Sequence, residues 1–434
     1  TLMSRINFFH GLLESLFSKK IVKPNFSFLF DKRKESSLED LIKNVSEAKG
    51  EVSALNYAED LLNFLDRSNE KILTKFFLIM LNNFDLDINS LNDAIKNYNS
   101  INKNEFYLKI TKFSEPKRLD IFRRLNATPR GTIRLVNLRK RLLSLIKKYP
   151  EFKVIDYDLT NLFKNWFNRG FLIIRPINWG TPAHILEKII EYEAVHEINS
   201  WQELRRRLAP NDRKCYAFFH PAMEDEPLIF IEVALMDAMP EKISQVLKDK
   251  RDIIDVENAS VAVFYSISNC QKGLAGISFG NFLIKQVAND LKLDFPNLKL
   301  FVTLSPVPGF VDWLKKNDEK FYKRISRNIS IKLTKNNQTQ INEKILRYFF
   351  KSNREDGLPN DPVSRFHVGN GAILEKINFL GNESEKGLNE SLGLMVNYLY
   401  DINNVEKNHE KFVIDKQINA SKNLLKQFSK LKNI

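Results

Sequence analysis

Few residues in this chain have the type and spacing for chemistry, and they fall in three places. Gly276-Ile277-Ser278-Phe279-Gly280 matches G-x-S-x-G, the turn that exposes a hydrolase serine when a strand runs directly into it. Here the preceding apolar run ends near Ser268, and Asn269-Cys270-Gln271-Lys272-Gly273 intervene, which argues against Ser278 as a nucleophile. The same glycines suit a phosphate cradle better. Gly273, Gly276 and Gly280 lie between a strand and a helix expected from near Ile277, so backbone N–H groups can converge on a pyrophosphate with no side chain in the way. Neither a Rossmann G-x-G-x-x-G nor a P-loop lysine accompanies them. The second place is Thr303-Leu304-Ser305-Pro306-Val307-Pro308-Gly309-Phe310, a strand end stiffened by two prolines. Ser305 there either caps a turn or is held at a strand end for function. The third is His367, where Val363 to Ala372 passes from a polar loop into a segment with two close glycines. Of the other histidines, His10 and His409 sit in polar or terminal contexts, and His184, His196 and His220 near apolar runs that suit a structural role. No His-x-x-x-His pair or Cys-containing metal spacing occurs.

The elements that must position these residues change character along the chain. Up to Tyr149-Pro150, apolar residues recur three and four apart over Leu38–Lys49, Leu55–Arg67, Glu70–Asn83, Ile88–Asn97, Leu119–Leu125 and Thr132–Lys148, which predicts helices. Leu2 to Val22 reads as a first helix rather than a transit peptide, since Arg is scarce and Glu14 interrupts it. Beyond Pro150 the period shortens. Phe171–Ile174, Cys215–Phe219, Leu228–Leu235, Ser260–Ser268 and Leu298–Leu304 read as strands, alternating with helices near Pro182–Tyr192, Pro240–Lys248 and Phe279–Leu291. A helix at Ile341–Phe350, a loop from Ser352 to Pro362 and a closing amphipathic helix over Asp415–Lys432 follow. The predicted organisation is a helical domain over residues 1–150 and a mixed α/β domain over 151–434.

With 434 residues, 43% apolar and 28% charged, the chain has the composition of a folded protein and is neither disordered nor collagenous. No apolar run approaches the roughly 20 residues of a membrane span. Cys215 and Cys270 cannot build a disulfide framework, which suits a reducing compartment. The net charge of +14 is concentrated early, with 27 Lys and Arg against 17 Asp and Glu in the first 150 residues. Between Lys117 and Lys148 only Asp120 opposes a run of basic residues, which reads either as a solvated helical face or as a patch for an anionic partner.

Taken as successive blocks, Trp166 to Leu172, Glu193 to His196, Arg213 to Phe219 with Glu226 to Leu228, Phe264 to Ser268, Gln271 to Lys285, Leu304 to Phe310, Phe366 to Ala372 and Leu392 to Tyr400 resemble the malonyl-CoA decarboxylase family in order and spacing. The resemblance covers most of residues 115 to 434. It implies a helical N-terminal domain used in subunit association, giving a homo-oligomer (dimer or tetramer), and a catalytic domain of the GNAT (acetyltransferase) fold. It also implies that Ala275, Gly276, Ile277, Ser278, Phe279, Gly280 and Asn281 bind the coenzyme A pyrophosphate. Ser305 and His367 would be the catalytic pair, with Tyr400 and Ser266 lining the site. The substrate would be malonyl-CoA and the product acetyl-CoA, with neither nucleic acid nor membrane as partner.

The chemistry asks for little else. Loss of CO₂ leaves the electron pair on the thioester as an enolate, so the substrate carries its own electron sink and no metal or cofactor beyond coenzyme A is expected. The protein must supply donors for the oxyanion, expected from backbone N–H groups around Phe264 to Ser268, and an acid for C2. His367 is expected to be that acid, with an imidazole pKa close to working pH, and Ser305 to help relay the proton. The competing readings are a GNAT-fold acyltransferase, which needs an amine acceptor, and a serine hydrolase or thioesterase using Ser278. A cytoplasmic location is expected.

Overall fold

The computed structural model describes residues 37–98, 102–248, 251–277, 283–326 and 335–431. The helix expected at Leu2 to Val22 and the positions Ser278, Phe279, Gly280 and Asn281 lie outside the described residues.

Up to Trp166 the described chain is helical, and four of the starts are capped by side chains. The Ser37 hydroxyl accepts the Asp40 N–H while the Asp40 carboxylate accepts the Ser37 N–H, a capping box that opens Leu38–Glu47. Asn69, Asp87 and Asn102 side chains likewise cap Glu70–Asn83, Ile88–Lys96 and Lys103–Phe113. Pro150 opens a single 3₁₀ turn, after which one more helix, Lys153–Trp166, continues the helical region.

Five of the seven arginines between Lys117 and Lys148 are buried or half-buried, while Arg123, Arg130 and the four lysines stay exposed. Buried Arg118 donates to Asp158 at 2.6 Å and to Asp85 at 2.8 Å. Arg124 reaches the carbonyls of Val45 and Ala48, and Arg141 those of Leu65 and Ser68. Arg134 binds Glu59, Asn63 and Asp66. Such guanidinium forks satisfy helix-end carbonyls and carboxylates that would otherwise be stranded between helices. The inward-turned arginines are thus internal ties of the helical region, and the exposed remainder of the run fits the solvated-face reading.

The second half is built on one eight-stranded sheet in the order β1-β2-β3-β4-β5-β8-β6, with β7 also paired to β8. The strands are β1 (Ile173–Ile177), β2 (Arg213–Phe219), β3 (Pro227–Met236), β4 (Val261–Asn269), β5 (Leu300–Thr303), β6 (Ser305–Pro306), β7 (Ile373–Asn378) and β8 (Met395–Leu399). Alternation along β2 shows why it is buried on both faces. Tyr216 and Phe218 join the core shared with the helical region, whereas Cys215, Ala217 and Phe219 pack with helices Ala183–Tyr192 and Trp201–Leu208. Every pairing is antiparallel except β4 with β5, which are joined by a crossover through helix Leu283–Asp294.

Two irregularities shape the site. Glu232 pairs with Ser266 and Val233 with Phe264, so Tyr265 is an extra residue that bulges β4. The parallel pairing then stops at Phe264 and Thr303, and β4 runs on to Asn269 with nothing paired on its β5 edge. The two strands splay into a cleft. Among the described residues no helix is long and apolar enough to cross a membrane.

Candidate active site

The cleft between the splayed strands has a volume of about 350 Å³. Val195, Phe264, Tyr265, Ile267 and Asn269 line one side, and Ser305, Pro306, Pro362, Val363, Phe366 and His367 the other. No described lining residue carries a fixed charge.

The backbone of β4 presents donors to it. The Cys270 N–H donates to the Leu228 carbonyl on the β3 side. Strand alternation then places the N–H groups of Ser268 and Ser266 on that side too, and those of Ile267 and Asn269 on the open edge. Before the bulge the phase is opposite, because the Phe264 carbonyl accepts from Leu304 on the β5 side. The extra residue at Tyr265 is what lets β4 hold β5 first and face the cleft afterwards.

At the closed end, β5 and β6 carry Thr303 and Ser305, two residues apart and on one face. His367 comes from the last turn of helix Pro362–Gly369, which starts where the Asp361 carboxylate caps the Ser364 N–H at 2.7 Å and Pro362 fixes the first turn. The loop expected from Ser352 to Pro362 thus ends at a capped helix that carries His367. Ser305 Oγ lies 3.1 Å from His367 Nε2 and donates to Thr303 Oγ1 at 2.9 Å, and His367 Nδ1 lies 2.9 Å from the Tyr400 hydroxyl. The Tyr398 ring stacks on the imidazole at 4.6 Å between centroids, and the Tyr398 N–H donates to Thr303 Oγ1. Asn397 donates to the carbonyls of Thr303 and Pro240 and so ties β8 to the strand end that holds Ser305.

Burial sets the electrostatics. His367 is only 4% exposed, and its loss of hydration alone pushes the imidazole from 6.5 down to about 3. This corrects the expected imidazole that titrates near neutrality: the ring is neutral at working pH and can pass a proton but not hold an extra one. Burial likewise pushes the Tyr400 phenol well above its ordinary value. The Asp361 carboxyl is raised to about 6 by burial, against the pull of the Ser364 N–H.

Ser266 is placed differently from expectation. Its hydroxyl points to the Glu193 carboxylate, at 2.8 and 2.7 Å from its two oxygens, and not into the cleft. Glu193 also accepts the N–H groups of Val195 and His196, so Ser266 fixes the cleft wall at Val195 from behind. The bulge is the reason, since it turns both Ser266 and Ser268 towards Glu193. Of the glycine turn, Lys272–Leu274 forms one 3₁₀ turn, Ala275 and Gly276 are exposed, and Gly276 takes a φ of +77° that favours glycine. His220 is buried and His196 half-buried, as suits structural histidines, while His184 pairs with Asp225 at 2.9 Å in an exposed position. Among the described residues no three His, Cys, Asp or Glu side chains converge as a metal set would.

Sequence reasoning misses Tyr398, Asn397 and Asp361 in this site. The signal that could have found Tyr398 is its spacing from Tyr400, which puts both rings on one face of β8.

Comparison with known proteins agrees in both halves. Residues 170–433 match the malonyl-CoA decarboxylase C-terminal domain and residues 84–167 the N-terminal domain of the same name. A protein named mitochondrial malonyl-CoA decarboxylase from Anser anser anser is 32% identical over 355 residues, 73% of this chain and 70% of that one. Its namesake from Mus musculus is 30% identical over 357 residues, 73% and 72% of the two chains. The crystal structure of malonyl-CoA decarboxylase from Rhodopseudomonas palustris superposes with a TM-score of 0.84 at 42% identity, covering 90% of this chain and 98% of that one. That from Agrobacterium vitis gives 0.84 at 43%, covering 91% and 100%. The chain belongs to the malonyl-CoA decarboxylase family.

Proposed function

We propose that this chain is a carboxy-lyase that converts malonyl-CoA to acetyl-CoA and CO₂ through an enolate, using no cofactor beyond the coenzyme A of its substrate. The observation that carries the reading is the Ser305–His367–Tyr400 chain at the end of a cleft whose described walls bear no fixed charge. A carboxylate bound there finds no cation to hold it. Its charge is better accommodated once it spreads into the departing CO₂ and the thioester oxygen, which favours the transition state over the ground state. The N–H of Ile267, on the open edge of β4, is the donor we assign to that oxygen, narrowing the strand-wide expectation.

Protonation of C2 follows from the neutral imidazole. With Nε2 protonated, the Tyr400 hydroxyl donates to Nδ1 and Nε2–H donates to Ser305 Oγ. Ser305 gives its proton to C2, regains one from Nε2, and Nδ1 takes the Tyr400 proton. One proton enters the substrate as CO₂ leaves; the chain then runs back, Nδ1–H returning its proton to Tyr400 and Ser305 its proton to Nε2, and water entering the emptied cleft reprotonates Ser305 and leaves as hydroxide. A thioester enolate is a stronger base than a phenolate, so the relay runs downhill. Ser305 is thus the final donor and His367 the conduit. For the pyrophosphate the described turn offers the exposed Gly276 N–H, since the N–H groups of Ala275 and of buried Ile277 are taken by the carbonyls of Lys272 and Leu274. Self-association belongs to the same reading: helix Lys103–Phe113 has no buried residue, and its Tyr107 and Leu108 are each 67% exposed.

Incubating the protein with malonyl-CoA, with and without EDTA, and following products by mass spectrometry tests this. Acetyl-CoA and CO₂ in equal amounts, unchanged by EDTA, are expected. Free malonate with coenzyme A would instead support a hydrolase, and malonylated or acetylated amines on adding acceptors would support an acyltransferase.

A further inference from the structure

We infer that Arg139, in helix Gly131–Leu145 of the helical region, is a positioning residue for coenzyme A binding: it holds the Gly273–Ile277 turn, whose Leu274, Ala275 and Ile277 N–H groups are bonded within the turn, in the shape that turns the Gly276 N–H to the pyrophosphate. The inference rests on the reading of that turn as the pyrophosphate site. Arg139 is almost fully buried. Its Nε donates to Asp156 at 2.7 Å, which fixes the guanidinium plane. One nitrogen, Nη1, then donates to both the Gly273 carbonyl at 2.7 Å and the Ala275 carbonyl at 3.0 Å. A single donor shared by carbonyls two residues apart sets the curvature of the chain between them.

That bridge has an electrostatic consequence. In a trans peptide the N–H of the next residue points opposite to the carbonyl. Drawing the Ala275 carbonyl inward to Arg139 therefore turns the Gly276 N–H outward. It also removes two partially negative oxygens from the face an anion would approach. Space is left there, since a Cβ placed on Gly276 would meet nothing within 4 Å.

A second contact locks the same turn to the same helix. A Cβ on Gly273 would stand 1.9 Å from the Val136 carbonyl oxygen, so only glycine lets the turn lie against the helix. Leu274 and Ile277 bury in the core that Val136 shares, while Ala275 and Gly276 stay exposed between them. The helical region thus does more than pack beside the sheet. It supplies the back wall of the turn.

Arg139→Met keeps the aliphatic stem and removes the donors, and Gly273→Ala pushes the turn off the helix with Arg139 intact. Both are to be compared with wild type on malonyl-CoA and on malonyl-pantetheine, which has the reacting group but no pyrophosphate. For each variant we expect KM for malonyl-CoA to rise about tenfold or more with kcat within about twofold, and KM for malonyl-pantetheine to stay at the wild-type value. Arg139→Lys, which reaches fewer acceptors, should fall between. Equal losses on both substrates, or an unchanged KM for malonyl-CoA, would overturn the inference. Should the wild type turn over neither substrate, calorimetric binding of coenzyme A and of pantetheine to the same proteins decides separately: a loss confined to coenzyme A upholds Arg139, and equal affinities refute it.

Discussion

With burial as the only cause, the His367 imidazole moves from 6.5 to about 3, and His196, half-buried, falls to about 3 as well through lost hydration and the nearby charges of Arg207 and Lys386. Both folded values lie below the unfolded one. The unfolded chain therefore takes up protons between pH 6.5 and 3 that the folded chain refuses, and the stability each neutral ring confers is complete above pH 6.5 and lost as pH falls towards 3. At pH 5 the loss is roughly 2 kcal/mol per histidine. Asp361, raised to about 6, works in the opposite sense between 3.8 and 6, so the effect of one ring is best measured as a difference. The Tm gap between wild type and His367→Gln should shrink from pH 7.5 to pH 5, and a constant gap would refute the neutral ring. In the same range the His367 ring protons should show no titration by NMR. Little of this is legible in the sequence: His367 stands out from the other histidines only by its surroundings. Ser305 lies 62 positions away yet 3.1 Å distant, so no local pattern encodes the pair. Only the family resemblance joins them at the level of sequence.

At the scale of elements, helix Pro362–Gly369 is short, and its cap matters accordingly. Asp361→Ala removes the acceptor for the Ser364 N–H, which should cost about 1 to 2 kcal/mol and loosen the turn that aims His367 at Ser305. Asp361→Asn keeps an acceptor there. Thermal melts and kcat should thus show a lower Tm and slower turnover for the alanine variant and near-wild-type values for asparagine; equal behaviour of the two would count against the cap. This helix also shows where sequence reading ends. Long amphipathic helices such as Glu70–Asn83 emerge with their boundaries intact, and β2, β3 and β4, rich in Val, Ile and Phe, come within a residue or two. A helix of one to two turns with Pro at one end and Gly at the other carries too little periodicity and reads as loop. β8 is hidden for another reason: Asn397 interrupts its apolar run, yet that amide is fully occupied by carbonyls of Thr303 and Pro240. β7 is likewise broken by Glu375 and Lys376.

For the whole molecule, the net charge of +14 invites a polyanionic partner, but five of the seven arginines of the densest basic run are spent on Asp85, Asp158, Asp156, Glu59, Asp66 and backbone carbonyls. The helical region also leaves apolar side chains open, Tyr107 and Leu108 on a helix with no buried residue. Sedimentation should give a species larger than the 50.7 kDa chain, and Tyr107→Glu with Leu108→Glu should lower it towards one chain. A monomeric wild type would rule out association through this face. The region's other task, backing the glycine turn through Arg139, links it to the cleft. The central claim concerns that cleft, and the most direct test is to set wild type beside His367→Ala, measuring acetyl-CoA formation from malonyl-CoA together with coenzyme A affinity by calorimetry. Acetyl-CoA and CO₂ are expected from the wild type, with at least about 10²-fold slower turnover in the variant and coenzyme A binding largely kept. Equal turnover in the two proteins, or malonate and free coenzyme A as products, would contradict it.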